Sequence, residues 1–204
     1  MIEDGEKDCQ PALTTHCSFD VVIPAYNEES SLPLVLRDLG DLEPAPRSIV
    51  VADNNSTDAT SAVAAAGGAR VVPAHRQGYG SACLAALDAI APEPPDVIVF
   101  LDADYSDHPD ELPMLLAPIE RGEADLVIGS RALGRREPGA LLPQARFGNW
   151  LACGLIRLIY RHRYTDLGPF RAIRWNALER IGMPEHAGVL RDDDIYMFEL
   201  AVQA

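Results

Sequence analysis

The sequence is nearly without lysine: Lys7 is the only one among 17 basic residues, and the rest are arginine. Against them stand 31 acidic residues, giving a formal net charge of −14 and a pI near 4.6. A chain this short of cations is a poor match for a phosphate backbone, so nucleic acid is excluded as its main partner. The same acidic, lysine-poor composition suits a high-salt cytoplasm, although a GC-rich genome produces the same arginine bias. Cysteine is sparse and unpaired in pattern. Cys9, Cys17, Cys83 and Cys153 show no C-x-x-C spacing, which argues against a zinc or redox centre and for free thiols in a reducing compartment. Long apolar runs are missing too. Nothing approaches the roughly 18 apolar residues a spanning helix needs, and the acidic N-terminus lacks the apolar core of a secretory signal. The expectation is a soluble, cytoplasmic protein.

What is present is core-forming. With 204 residues and 48% of them hydrophobic, the chain can bury one sizeable core. Residues 1–18 are polar and aperiodic and read as a disordered lead-in. Residues 19–204 read as one domain, which stops in a helical pattern at Ala204 as a truncated domain would.

Short β-type runs alternate with helical stretches. Strands are expected over Phe19-Asp20-Val21-Val22-Ile23-Pro24, Ser48 to Asp53, Arg70 to Val72, Val97 to Leu101 and Asp125 to Ser130. Between them come a helix entered at Ser30 or Ser31 with Leu34, Leu36 and Leu39 inward, an Ala-rich helix ending at Gly67-Gly68, and a helix opened by Gln77-Gly78-Tyr79-Gly80-Ser81. Asp107 to Arg121 is helical in composition but interrupted by Pro113 and Pro118, so it should be short or kinked. Strand–helix alternation at this spacing predicts an α/β fold, a mostly parallel sheet with helices on both faces. In such a sheet the loops following the strands, residues 24–29, 53–58, 77–81 and 102–107, gather on one edge, where open α/β sheets bind ligands.

The chemistry concentrates in those loops. The apolar run Val97-Ile98-Val99-Phe100-Leu101 ends in Asp102-Ala103-Asp104, two carboxylates that an extended backbone would project to the same side. Like charges so close call for a cation, and a pair of hard oxygen donors suits Mg²⁺ or Mn²⁺. The plainer alternative is that one aspartate caps the next helix; position at the end of a buried strand favours metal. Asp53 could accept hydrogen bonds from a nucleoside or cap the helix beginning near Ser56. Glu28 could serve likewise, or Glu28 and Glu29 could favour a helix N-terminus. Gly78 and Gly80 permit close backbone approach and free N–H groups at a helix start, suited to a phosphate or sugar, though a tight turn explains them equally well. Arg131 could pair with a diphosphate or be an ordinary surface arginine.

Taken in order, Val22-Ile23-Pro24-Ala25-Tyr26-Asn27-Glu28-Glu29, Asp53-Asn54-Asn55-Ser56-Thr57-Asp58, Gly78-Tyr79-Gly80, Asp102-Ala103-Asp104 and Gly129-Ser130-Arg131 resemble the successive signatures of glycosyltransferase family 2, and within it the dolichyl- and polyprenyl-phosphate sugar synthases. Asp166-Leu167-Gly168-Pro169-Phe170-Arg171 matches a later signature of related bacterial proteins. The resemblance implies a GT-A fold, a UDP- or GDP-linked sugar donor, a divalent metal (Mg²⁺ or Mn²⁺) and an inverting transfer. It implies that Pro24, Ala25, Tyr26, Glu28 and Asp53 hold the nucleoside. Asp102 and Asp104 would bind the metal bridging the diphosphate, with Ala103 between them in the donor site and Ser106 where relatives supply another ligand. Gly78 and Arg131 would complete the donor contacts.

A lipid-phosphate acceptor such as polyprenyl phosphate would place the protein at the inner face of a membrane, with the Arg135/Arg136 loop and residues 150–163 as the acceptor side; a core helix with a solvated basic end explains 150–163 equally well. A hydroxyl acceptor would need a base, for which Asp166, Asp193 and Glu199 are candidates beside Asp192 and Asp194. Asn54-Asn55 departs from the commoner Asp-Gly at these positions, and Gly188 to Asp194 departs from the family's Gly-Trp region. Two other readings share the βαβ alternation. A non-catalytic sugar-nucleotide-binding module is one. The other is a nicotinamide-dependent oxidoreductase, disfavoured because no G-x-G-x-x-G follows the first strand.

Overall fold

The computed structural model describes residues 16–129, 168–180 and 182. Six strands form one sheet: β1 (Phe19–Ala25), β2 (Ser48–Asp53), β3 (Arg70–Pro73), β4 (Val97–Phe100), β5 (Leu126–Ile128) and β6 (Arg171–Arg174). Among the described residues five α-helices accompany it: α1 (Leu32–Gly40), α2 (Thr60–Ala66), α3 (Tyr79–Ile90), α4 (Leu112–Glu120) and α5 (Trp175–Arg180).

β4 is wholly apolar and β1 and β2 are largely so, because both faces of the sheet are covered. Along β1 and β4 the pleat sends Val21, Ile23, Val97 and Val99 into a core shared with α1 and α4. It sends Val22, Ile98 and Phe100 to the opposite core, under α3 and α5. In α1, Pro33 sits in the first turn, and Leu32, Val35, Leu36 and Leu39 form one buried stripe. Leu34, expected inward, is 39% exposed, since it falls off the 32–36–39 stripe. Pro113 and Pro118 hold α4 to nine residues preceded by a single 3₁₀ turn, Pro109–Glu111.

The strand order is β3-β2-β1-β4-β6-β5. β1, β2, β3 and β4 are parallel, while β6 runs antiparallel between β4 and β5. The chain winds outward from β1 to β3 and then returns to β4 on β1's other side. The junction of β1 and β4 is therefore the switch point where an open sheet leaves a crevice. The folded unit begins slightly before Phe19. Ser18 donates both its N–H and its hydroxyl to Asp96, each at 2.8 Å, within the stretch expected to be a lead-in. Asp20, a carboxylate 1% exposed inside β1, is held by the Arg47 fork at 2.9 and 2.8 Å.

Candidate active site

The loops after β1, β2, β3 and β4 lie on the C-terminal edge, and the first three are fastened to one another. Asn27, in the left-handed region at φ 57°, accepts the Thr57 N–H at 2.8 Å and gives its own N–H to the Ser56 hydroxyl at 3.0 Å. Glu28 N–H donates to the Thr60 hydroxyl at 2.8 Å, Glu29 N–H donates to Asp58 at 3.2 Å, and Ala59 N–H returns to the Glu29 carboxylate at 2.8 Å. Asn54, 6% exposed, joins the second loop to the third. Its amide donates to the carbonyls of Ala74 (3.2 Å) and Arg76 (2.7 Å), and its oxygen accepts the Gly78 N–H at 2.7 Å. Asn55, at φ 64°, adds two longer bonds to the carbonyls of Ala74 and His75.

These bonds refine several expectations. The Gly78 N–H is not free for a ligand, because Asn54 accepts it; Gly78 serves its φ of 133°, which a side chain would strain. Ser31 occupies the N-cap position of α1 without capping an N–H, its hydroxyl turning back to the Glu28 carboxylate instead. The second helix starts at Thr60, not Ser56, and Asp58 supplies the bond to the Thr60 N–H at 2.9 Å. Asp53 accepts the Ser56 N–H at 2.9 Å and the Ser61 hydroxyl, so it braces the turn between β2 and α2 and does not cap the helix's backbone. Partial burial pushes its pKa up, but the bonds from Ser56 and Ser61 prevail and hold the carboxyl below its ordinary range. Pro24 is half-buried, Ala25 is buried with its carbonyl accepting the Asn54 N–H at 2.9 Å, and Tyr26 stands 49% exposed over this edge.

Strand β4 ends at Phe100, two residues before Asp102, so the acidic pair lies in a turn and the strand pleat does not orient it. Local bonding shapes the turn instead. Asp102 N–H donates to the Asp107 carboxylate at 3.3 Å, Ser106 N–H donates to Asp104 at 2.9 Å, and Tyr105 adopts φ 61°. The Tyr105 hydroxyl reaches Asp38 on α1 at 2.5 Å. Asp102 is half-buried, Ala103 is buried and Asp104 is exposed. Among the described residues no group of three or more His, Cys, Asp or Glu side chains is arranged to hold a metal. Two carboxylates in an exposed turn nevertheless fit Mg²⁺ or Mn²⁺, hard cations that combine one or two protein carboxylates with phosphate oxygens and water.

Sequence reasoning missed Asn27, Asn54 and Asp107. Asn54 and Asn55 were visible as departures from Asp-Gly. Asp107 carried only the signal of an aspartate before a proline-led turn. Arg131, Asp166, Asp193 and Glu199 lie outside the described residues, as do the Arg135/Arg136 loop and residues 150–163.

The same order of elements is found in known proteins. Residues 20–193 match the family model "Glycosyl transferase family 2". An uncharacterized glycosyltransferase of Mycobacterium tuberculosis is 39% identical over 188 residues, covering 90% of this chain and 77% of that one. An undecaprenyl-phosphate mannosyltransferase of Micrococcus luteus is 34% identical, covering 79% of this chain and 68% of that one. Among solved structures, glucosyl-3-phosphoglycerate synthase from M. tuberculosis in complex with Mn²⁺, UDP-glucose and phosphoglyceric acid superposes with a TM-score of 0.63 at 28% identity. The match covers 79% of this chain and 58% of that one, so the chain spans a little over half the length of that structure. The sheet with its helices on both faces is thus the GT-A architecture of these enzymes, and the chain belongs to glycosyl transferase family 2.

Proposed function

We propose that the protein transfers a hexose from a UDP- or GDP-linked donor to a phosphate-bearing acceptor, in a metal-dependent, inverting reaction. The observation that carries the reading is the placing of four strand-end loops on one edge of the sheet around the β1/β4 switch point, with Asp102 and Asp104 on the same edge as Pro24, Ala25, Tyr26 and Asp53. A solved relative whose complex contains both Mn²⁺ and UDP-glucose supports it.

In this reading Tyr26 and Asp53 position the nucleoside, with Glu28 on the same loop edge. Asp102 and Asp104 are the residues that would hold Mg²⁺ or Mn²⁺. A bound divalent ion supplies Lewis-acid neutralisation of charge on the departing diphosphate. Arg131, next in sequence after Gly129-Ser130, would add a bidentate cation to the same oxygens. An acceptor oxygen attacks the anomeric carbon on the face opposite the diphosphate. The new glycosidic bond forms as the bond from carbon to diphosphate oxygen breaks, and the electron pair leaves with the diphosphate. A phosphate acceptor is already anionic and delivers no proton. A hydroxyl acceptor passes its proton to a carboxylate, for which Asp166, Asp193 and Glu199 are the candidates.

Polyprenyl phosphate is the favoured acceptor, because relatives named for polyprenyl-linked mannosyl transfer align with this chain. With a lipid-phosphate acceptor, the proposed place of work is the cytoplasmic face of a membrane; among the described residues no helix is long and apolar enough to cross one. The test is a panel of UDP- and GDP-sugars with and without Mn²⁺, read by thermal shift and then by turnover on polyprenyl phosphate and on 3-phosphoglycerate. Turnover on polyprenyl phosphate with inverted anomeric configuration supports the proposal. Turnover on the soluble acid alone overturns the lipid acceptor, and a retained configuration overturns the inverting course.

A further inference from the structure

Tyr105 ties the acidic turn to helix α1. It sits between Asp104 and Ser106 at φ 61°, a left-handed backbone that a bulky side chain seldom adopts and that persists only where its surroundings hold it. Its hydroxyl donates to Oδ2 of Asp38 at 2.5 Å, across 67 positions of sequence. The other oxygen, Oδ1, accepts Nε and Nη2 of Arg37 at 2.9 and 2.8 Å, so both oxygens of the Asp38 carboxylate are engaged. The Tyr105 ring is 39% exposed, and neither Tyr105 nor Asp38 belongs to the two buried cores. The directed bond, more than burial of the ring, is therefore what joins the turn to the helix.

Helix α1 is a firm anchor, because Leu32, Val35, Leu36 and Leu39 seat it in the core. Its first turn is continuous with the loop after β1. The Leu32 N–H donates to the Glu28 carbonyl at 3.0 Å, and the Ser31 hydroxyl turns to the Glu28 carboxylate. One helix thus carries residues 26–28 at its N-terminal end and, through Asp38 near its C-terminal end, the acidic turn. Inside the turn the bonds from the Asp102 and Ser106 N–H groups bend the chain, and the Tyr105 hydroxyl references the bent chain to α1.

We propose that Tyr105 is a positioning residue for the metal turn: its bond to Asp38 holds residues 102–106 in one shape, at a set place relative to α1 and the nucleoside-side loop, before metal or donor arrives. Without the bond the left-handed residue is free to relax, and only a fraction of molecules keeps the shape that binds. Affinity for the metal then falls by that fraction, while the saturated complex turns over as before. The consequence for metal binding rests on the reading of Asp102 and Asp104 given under the proposed function. The tether itself is a property of the metal-free protein and is tested there.

The experiment compares the full chain with Tyr105→Phe, Asp38→Ala, Asp38→Asn and the double variant Tyr105→Phe/Asp38→Ala. Amide hydrogen exchange is read in EDTA, Mn²⁺ binding by electron paramagnetic resonance, and kcat at saturating Mn²⁺ and donor. In Tyr105→Phe and in Asp38→Ala, exchange at the Asp102 and Ser106 amides should accelerate about fivefold, with β1 and β2 within about twofold of wild type. Mn²⁺ binding should weaken by about the same fivefold while kcat stays within about twofold, a split that general destabilisation does not produce. The double variant should be no worse than either single one, because both remove the same bond. Asp38→Asn keeps an oxygen that can accept the Tyr105 O–H, so it should fall between wild type and Asp38→Ala. Unchanged exchange in Tyr105→Phe overturns the proposal, as do losses shared equally by β1 and β2 or a double variant whose effect is the product of the two single ones. Unaltered Mn²⁺ affinity in Tyr105→Phe, where wild type binds Mn²⁺, overturns it too. A wild type that binds no Mn²⁺ overturns the metal reading instead, and the exchange in EDTA alone then decides the tether.

Discussion

Asn54→Ala tests whether the donor-side loops are built as a unit. The substitution removes two donated bonds and one accepted bond, at 3.2, 2.7 and 2.7 Å, from a side chain 6% exposed. The Ala74 carbonyl keeps a second donor in Asn55 at 3.2 Å, so the net losses fall on the Arg76 carbonyl and the Gly78 N–H. At about 1–3 kcal/mol for each polar group left without a partner, and with water able to reach part of this loop, the cost should be about 2–3 kcal/mol. For a domain of this length that is a fall in Tm of about 5–10 °C. Asn54→Asp keeps the shape and the bond from Gly78 N–H but turns both donated bonds into oxygen–oxygen contacts around a buried charge. It should cost at least as much as alanine at pH 8. Thermal denaturation of the three proteins decides. A loss below about 0.5 kcal/mol in Asn54→Ala, or an Asn54→Asp variant as stable as wild type, would refute the clamp.

Asn55→Gly should change stability by less than about 1 kcal/mol, since relief of a left-handed asparagine offsets two long hydrogen bonds; chemical denaturation reads it. Gly129→Ala should cost about 1–3 kcal/mol, because a Cβ there would meet the Phe170 carbonyl and ring at 3.1 Å, and the same denaturation series measures it. Asp53 and Asp96 are held below the ordinary carboxyl range, Asp96 by the Ser18 hydroxyl and N–H. Groups with depressed folded pKa values contribute stability above the unfolded value, about 3.9, and lose it as pH falls through the folded value. Stability should therefore decline as pH drops below about 4, and Ser61→Ala should move the acid midpoint upward in a pH-denaturation curve.

The parallel strands were legible because each carries a short run of consecutive β-branched and other apolar residues, the composition that burial on both faces favours. Strand β6 was not. Arg-Ala-Ile-Arg is charged at both ends, and its antiparallel place between β4 and β5 is decided by pairing partners far away in sequence. The start of the second helix was misplaced because side chains there serve neighbouring loops: Asp58 and Glu29 cap α2 together, from different loops. For the same reason Asn54 looked like a departure from a motif, although its partners lie 20 to 24 residues downstream. Asp102-Ala103-Asp104 was legible as a pair but not as a turn. The bonds that bend it come from Asp107 and from the local Asp104–Ser106 link.

The metal pair is tested most directly by Mn²⁺-dependent release of nucleotide from the preferred donor, in wild type and in Asp102→Asn and Asp104→Asn, alongside Mn²⁺ binding followed by electron paramagnetic resonance. If these carboxylates hold the metal on the diphosphate, each variant should weaken Mn²⁺ binding at least tenfold and lower turnover by about 10²-fold or more, with Tm within about 3 °C of wild type. Full turnover in either variant, or turnover in wild type that is indifferent to EDTA, would contradict the assignment.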